Sequence, residues 1–388
     1  VTSQADRFAR AMRADARVVR AAHPFVASML EAVRRPVMRL PRIGLLVQQT
    51  DLVREVMSDT DRFTKNGPGA SSDLWTPVLG DRVLVNMHGP DHHAMRRTLQ
   101  PIFAPGFVNE LVREMVEPRW KQAAASLAAG DRVDIAKVTR EGASDAIAVL
   151  VGLDRGAVDD AMFESVTQIT GMVKLTRPRL TDQQAQRARD LLAQLTEHAH
   201  AAYAGDESTV PGRMRALGLS EREALGAVGA FILTGTETLA GAIPRITAML
   251  ADADWFSQLT DDAAADRAIA ESLRWTTPSL ATLRSALVDT EIGGAKVQKG
   301  DRIVLATYKA NRQRGPWDPT SDRVAGLRQL WFGAGEHFCI GAPLAMAQIR
   351  TAITALRSVE GRLQATDRTP LRNTVIPSYR SLVMEARR

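Results

Sequence analysis

Apolar residues recur every three or four positions through most of the chain, set among Ala, Arg, Glu and Gln, a period that predicts helices. The clearest run over residues 108–128, 181–203, 221–250 and 343–359. Alternating, β-type stretches are fewer and clustered. Residues 37–46 read as a hairpin. Residues 280–305 read as strands around a Gly293-Gly294 turn and a Lys299-Gly300-Asp301 turn, and residues 363–384 add more. Two Gly/Pro-marked stretches, 66–90 and 311–342, read as long loops, which in a helical body are more often functional than decorative. The fold class is therefore mainly α with a small β-rich region.

With 388 residues, the chain exceeds the usual ceiling for one hydrophobic core, which leaves two domains or one large enzyme fold. No repeat, low-complexity tract or linker divides it, so residues 1–388 are read as a single domain. Apolar runs are always broken by a polar or charged residue before eighteen positions, so no membrane-spanning helix is expected. The first residues, Ala5-Asp6-Arg7-Phe8-Ala9-Arg10, are charged and helix-forming and lack an apolar signal core. The start at Val1 leaves a trimmed leader open; the default location is the cytoplasm.

Fifty basic residues against 44 acidic leave a net charge of +6. The basic residues are spread along the chain beside acids rather than gathered in a stripe, which argues against nucleic acid and suits an acidic protein partner. Cysteine narrows the chemistry further. There is one, Cys339, so an intrachain disulfide and any cluster or finger held by several thiolates are impossible.

Cys339 lies in Phe332-Gly333-Ala334-Gly335-Glu336-His337-Phe338-Cys339-Ile340-Gly341-Ala342-Pro343. The glycines permit sharp turns and close approach to a flat ligand. A helical pattern opens just afterwards, with Pro343 acceptable in its first turn. A thiol at a helix start meets the positive end of the dipole, which favours thiolate and suits a single axial ligand to a metal.

This segment resembles the haem-binding loop of the cytochrome P450 superfamily, Phe-Gly-x-Gly-x-His-x-Cys-x-Gly, at all six fixed positions. The resemblance implies that fold, a triangular helical prism around a buried haem, with Cys339 as the thiolate ligand to iron of haem b. Glu271-Ser272-Leu273-Arg274 is similar to the family's Glu-x-x-Arg, a structural pair that shares one helix face; Asn311-Arg312 resembles the third member of its network. Gly89-Pro90-Asp91-His92-His93-Ala94-Met95-Arg96-Arg97 looks like the start of the family's third helix. By the same resemblance His92, Arg96, Arg284 and His337 grip the haem propionates, while His93 and Arg97 point elsewhere.

Phe231-Ile232-Leu233-Thr234-Gly235-Thr236-Glu237-Thr238 places glycine and threonines inside a helical pattern, where both are unfavourable. A broken local rule suggests function. The stretch resembles the family's oxygen-binding site, with Gly235, and Glu237 and Thr238 as the proton-relaying acid–alcohol pair. Thr234 stands where Ala or Gly is usual. Pro244 should kink this helix. Hydroxyls bonded back to the preceding turn are the plain alternative for Thr234 and Thr236.

The resemblance implies a monooxygenase that activates O2 and inserts one oxygen atom, by hydroxylation or epoxidation, into a small apolar substrate such as a lipid, steroid, terpenoid or polyketide-like product. Electrons would come from a separate ferredoxin-type partner and its reductase, docked on a basic face including Arg97 and Arg328. Leu74, Trp75, Val78, Leu79, Phe231 to Thr234, Ser279 to Thr282 (Ala281 among them), Ser378 and Tyr379 are expected to line the substrate pocket. The alternatives are a peroxide-using or isomerising enzyme on the same scaffold, or a haem-binding sensor without activity; Glu237-Thr238 counts against both.

Overall fold

The structure, a computed structural model, describes residues 3–153, 160–173, 179–321 and 329–387. Its organising element is a central helix, Glu221–Asp252, started by a capping box: Ser220 Oγ accepts from the Glu223 backbone N–H and the Glu223 carboxylate accepts from the Ser220 N–H. Apolar residues surround this helix on nearly all sides because other helices enclose it. By length and composition alone it is apolar enough to cross a bilayer, with mean hydropathy 1.3. Yet 78% of its most apolar window is buried inside the protein, the condition of a core helix. It continues without a break through Gly235 and Pro244.

Small residues let neighbours close on it. A Cβ on Gly235 would lie 2.3 Å from Ile147 Cδ1 of the helix Ile135–Leu150, and one on Gly226 would lie 2.2 Å from the Leu79 carbonyl oxygen. The helices Gln4–Ala22, Asp160–Gly171, Asp182–Thr196, Asp262–Thr276 and Ala342–Arg357 complete the helical body. Its main core runs from Phe8 and Trp120 through Ile232 and Ile246 to Leu356.

Ten described strands form three sheets: β1 Val37–Leu40, β2 Gly44–Val47, β3 Phe63–Thr64, β4 Val133–Asp134, β5 Thr282–Ala286, β6 Thr290–Ile292, β7 Ala295–Val297, β8 Arg302–Leu305, β9 Arg362–Pro370 and β10 Tyr379–Arg387. The five-stranded sheet has the order β1-β2-β8-β5-β3. Its pairs are antiparallel except β2 with β8, where Leu45 to Val47 run parallel to Ile303 to Leu305. The expected hairpin is β1–β2, and Gly293-Gly294 joins β6 to β7. β4, β10 and β9 form a second sheet.

Three readings need correction. Residues 108–128 are two helices, Pro105–Met115 and Glu117–Ala129: Pro118 lacks an N–H and is tolerated only in a first turn, so the chain restarts there. Residues 181–203 leave the α-helix at Thr196 and pass through a 3₁₀ turn to the short helix His200–Ala204. The stretch 66–90 contains the helix Ser71–Leu79, which buries Leu74, Val78 and Leu79 and follows a turn held by Gly69 N–H donating to Asp73.

Candidate functional site

The cysteine loop is shaped by its glycines. Gly333 and Gly335 take φ values of 76° and 67°, and a Cβ on Gly335 would lie 2.8 Å from the Met57 carbonyl oxygen. The Cys339 N–H donates to the Phe332 carbonyl at 2.8 Å, closing the loop, and Gly341 caps the helix Ala342–Arg357. Cys339 is exposed and lines a cavity of about 370 Å³. Burial pushes its thiol above the usual range; the N–H groups of Gly341 and Ala342 and the charges of Arg96 and Lys65 pull the other way without prevailing. A helix start alone does not make this sulfur a thiolate.

One wall of the cavity is a stripe of the central helix: Ala227, Ala230, Phe231, Thr234, Gly235, Thr238, Leu239 and Ala242, spaced at three and four. Thr238 belongs to that stripe and Glu237, about 100° further round, does not. The Glu237 carboxylate instead meets Thr170 Oγ at 2.9 Å on the helix Asp160–Gly171, and burial pushes its pKa up to about 7. The expected acid–alcohol pair is thus adjacent in sequence but divided between two environments. Thr234 and Thr236 follow the plain alternative, donating to Ala230 O and Ile232 O, and Thr238, expected as the alcohol of the pair, donates in the same way to Thr234 O, each at 2.7 Å. Gly235 has a packing reason of its own in Ile147.

Basic groups gather on the cavity wall. His92, Arg96, Arg284 and His337 all line it, and so does Lys65, which sequence reasoning missed. Lys65 follows the two-residue strand β3 and carries no motif; only the pairing of β3 with β5, the strand of Arg284, brings it here. Among the described residues neither Lys65 nor Arg96 has an acidic partner. Burial lowers Lys65 to about 7, helped by the charge of Arg284, and lowers Arg284 to about 10. Burial likewise drives His92 down to about 4 and lowers His337, so both rings are neutral. Nδ1 of His92 and both ring nitrogens of His337 are buried without a hydrogen-bond partner. Such a cluster is costly to bury unless an anion completes it. The haem implied by the cysteine loop fits: its two carboxylates would meet these groups and its iron the sulfur of Cys339.

Other expected residues fall as follows. His93 points to Glu336, Nε2 to Oε1 at 2.9 Å, and Arg97 is exposed; Arg328 lies outside the described residues. Glu271 and Arg274 form a fully buried two-bond pair at 2.6 Å. Arg274 also donates to the Asn311 carbonyl at 2.7 Å, whereas Arg312 turns to Asp15 at 2.9 Å and lies over Trp275. Of the expected pocket residues, Phe231, Thr234, Ser279 and Thr282 line the cavity. Trp75, Val78, Leu79, Ala281 and Tyr379 do not. Val78 and Leu79 face the main core and a separate cleft beside Arg189 and Leu192. Trp75 and Ala281 pack on the cluster around Leu30 and Leu280. Tyr379 is buried at the start of β10 and bonds to Arg368.

A family model described as Cytochrome P450 matches residues 260–358. The steroid C26-monooxygenase of Mycobacterium tuberculosis (strain ATCC 25618 / H37Rv) is 28% identical over 338 residues, 78% of this chain and 73% of that one. The erythromycin C-12 hydroxylase of Saccharopolyspora erythraea is 27% identical over 335 residues, 80% of each. A solved structure of a mutant of P450 EryK in complex with erythromycin B has the same fold, with a TM-score of 0.79 at 23% identity over 94% of this chain and 97% of that one. The matched segment takes in both the Glu271–Arg274 pair and the whole cysteine loop, and with the shared fold this means that the chain belongs to the cytochrome P450 superfamily of haem-thiolate monooxygenases.

Proposed function

We propose that residues 1–388 act as one catalytic unit that inserts an oxygen atom from O2 into an apolar substrate of steroid, macrolide, terpenoid or lipid type, in the cytoplasm. The observation that carries this reading is the cavity itself, lined together by one sulfur, a mostly apolar stripe of the central helix, and cations with no acidic partner among the described residues. Bound through a thiolate, haem supplies reductive activation of O2 and oxygen-atom transfer.

The chain's own residues would divide the remaining work. Cys339 is the metal ligand. Arg96, Arg284 and Lys65 supply charge to the carboxylates of haem b, and His92 and His337, being neutral, supply N–H donors. Glu271 and Arg274 fix the loop around Asn311 and Gly315 and so brace the segment that leads to the cysteine. Phe231, stacked on Phe103 with centroids 5.5 Å apart, gives the substrate an aromatic surface and keeps water out. Thr234 narrows the same wall, and Thr238 holds a proton at Oγ on it. Glu237, behind the wall, stores the proton that Thr238 passes in. Electrons come from an acidic ferredoxin-type partner with its reductase. The exposed Arg97, one turn from the His93 that grips Glu336 of the cysteine loop, belongs to the face that partner would meet.

The position of Glu237 off the cavity wall is the one observation that favours the peroxide-using alternative. Both readings are tested by the haem-loaded protein with a panel of steroids and macrolides. The expectation is a substrate-induced change in haem spin state, then product carrying one added oxygen when ferredoxin, reductase and NADPH are present. Turnover with hydrogen peroxide but none with the reductase system would establish the alternative. Cys339→Ala should abolish the reduced-CO absorption of thiolate-bound haem; a surviving band would refute the ligand.

A further inference from the structure

Glu237 has a partner that the relay reading does not explain. Thr170, buried on the helix Asp160–Gly171, places its hydroxyl oxygen 2.9 Å from Glu237 Oε1, 3.1 Å from the Val166 carbonyl and 3.3 Å from the Thr167 carbonyl. A hydroxyl carries one proton and cannot donate to all three. Two arrangements satisfy the geometry. When Glu237 is protonated, its O–H donates to Thr170 and the Thr170 hydroxyl donates back to its own helix. When Glu237 is ionised, the Thr170 hydroxyl turns and donates to the carboxylate, releasing the backbone carbonyl.

We propose that Thr170 is the positioning residue of Glu237: its hydroxyl reverses the direction of one hydrogen bond with each gain or loss of the Glu237 proton, and so sets how readily that proton is released. This rests on the reading of Glu237 as a proton store behind Thr238. The release is a simple acid dissociation. The O–H bond breaks with its electron pair left on the carboxylate, the proton passes towards Thr238 in turnover or to water in a titration, and solvent later returns a proton.

The surroundings leave Thr170 an unusually large share of the control. Burial pushes Glu237 up, Thr170 and then the Thr167 hydroxyl hold it down, and no charged side chain contributes among the described residues. On the neighbouring helix Ile135–Leu150, Asp145 is committed to Arg119, and on the helix Asp160–Gly171 the carboxylate of Glu164 is exposed. Hydroxyls thus do here what a salt bridge does elsewhere, and they do it without fixing the carboxyl in its ionised form.

The test is an infrared pH titration of the haem-loaded, substrate-free protein, following the carboxylic C=O band that disappears in Glu237→Gln. Thr170→Val keeps the shape and removes the hydroxyl. Loss of a hydrogen bond to a charged group should raise the Glu237 midpoint by about one pH unit or more, and Thr170→Ser should restore it. Should Thr170→Val fail to fold, Thr170→Ala is read in the same way. An unmoved midpoint, or Val and Ser variants that behave alike, overturns the proposal. The pH dependence of product formed per electron consumed is then compared in the same variants. A midpoint that moves while this profile stays fixed supports the hold of Thr170 on Glu237 and removes Glu237 from the relay.

Discussion

Replacing Glu237 by Gln should remove the pH dependence of part of the protein's stability. The carboxyl sits among apolar neighbours with only hydroxyl partners, and its pKa rises from an ordinary 4.5 to about 7. The folded state therefore holds this proton more tightly than the unfolded chain does. The associated stability is fully present below pH 4.5, declines as pH rises towards 7, and is gone above it. That displacement amounts to about 3 kcal/mol. Gln keeps the shape and hydrogen-bonding capacity of the protonated acid but does not titrate. Urea unfolding of both proteins from pH 4 to pH 8 isolates the effect, since other titrations cancel in the difference. Relative to the variant, the wild type should lose about 3 kcal/mol between the two ends, most of it between pH 5 and 7. A constant difference across the range would mean that Glu237 ionises as a surface carboxylate does, and the burial argument would fall.

Lys65→Met, Arg96→Ala and Arg284→Ala should each weaken haem retention by roughly 1.5–3 kcal/mol, read as faster transfer of haem to an apo-globin; unchanged rates would make the three cations bystanders. Arg274→Ala leaves Glu271 buried and unpaired and should cost about 3–5 kcal/mol in urea unfolding, while Glu271→Gln combined with Arg274→Met should cost less than Arg274→Ala alone. Gly235→Ala should destabilise by about 1–3 kcal/mol because its Cβ meets Ile147, yet stabilise in an Ile147→Ala background where only the helix preference remains. Failure of that sign change would remove the packing account of Gly235.

How much of this could be read beforehand depends on the range of the interaction involved. The cysteine loop was legible because Gly333 and Gly335 need a left-handed backbone, a demand made by the local chain itself. The hairpin β1–β2 and the β6–β7 turn were legible for the same reason. The face taken by Glu237 was not, because a motif gives neighbours in sequence while helix geometry turns adjacent side chains 100° apart. Lys65 was hidden because what brings it to the cavity is the pairing of β3 with β5, contacts across more than half the chain. Trp75, Val78 and Leu79 were expected in a loop lining the substrate pocket; their apolar spacing instead made a helix that packs into the core.

The parallel pairing of β2 with β8 has a bearing on biosynthesis. Leu45, Leu46 and Val47 leave the ribosome early, but Ile303, Val304 and Leu305, which complete their hydrogen bonds, come near the end. Until then the hairpin carries an open apolar edge, the kind of surface that recruits other chains. Asp15 waits as well, since Arg245 and Arg312, the partners that neutralise it, are also made late. The strand Gly44–Val47 can therefore settle only after residue 305 has been made, and its edge stays open to other chains in the interval. A premature stop before Arg302 would release a polypeptide with its sheet unclosed and its N-terminal carboxylate lacking one of its two counter-ions.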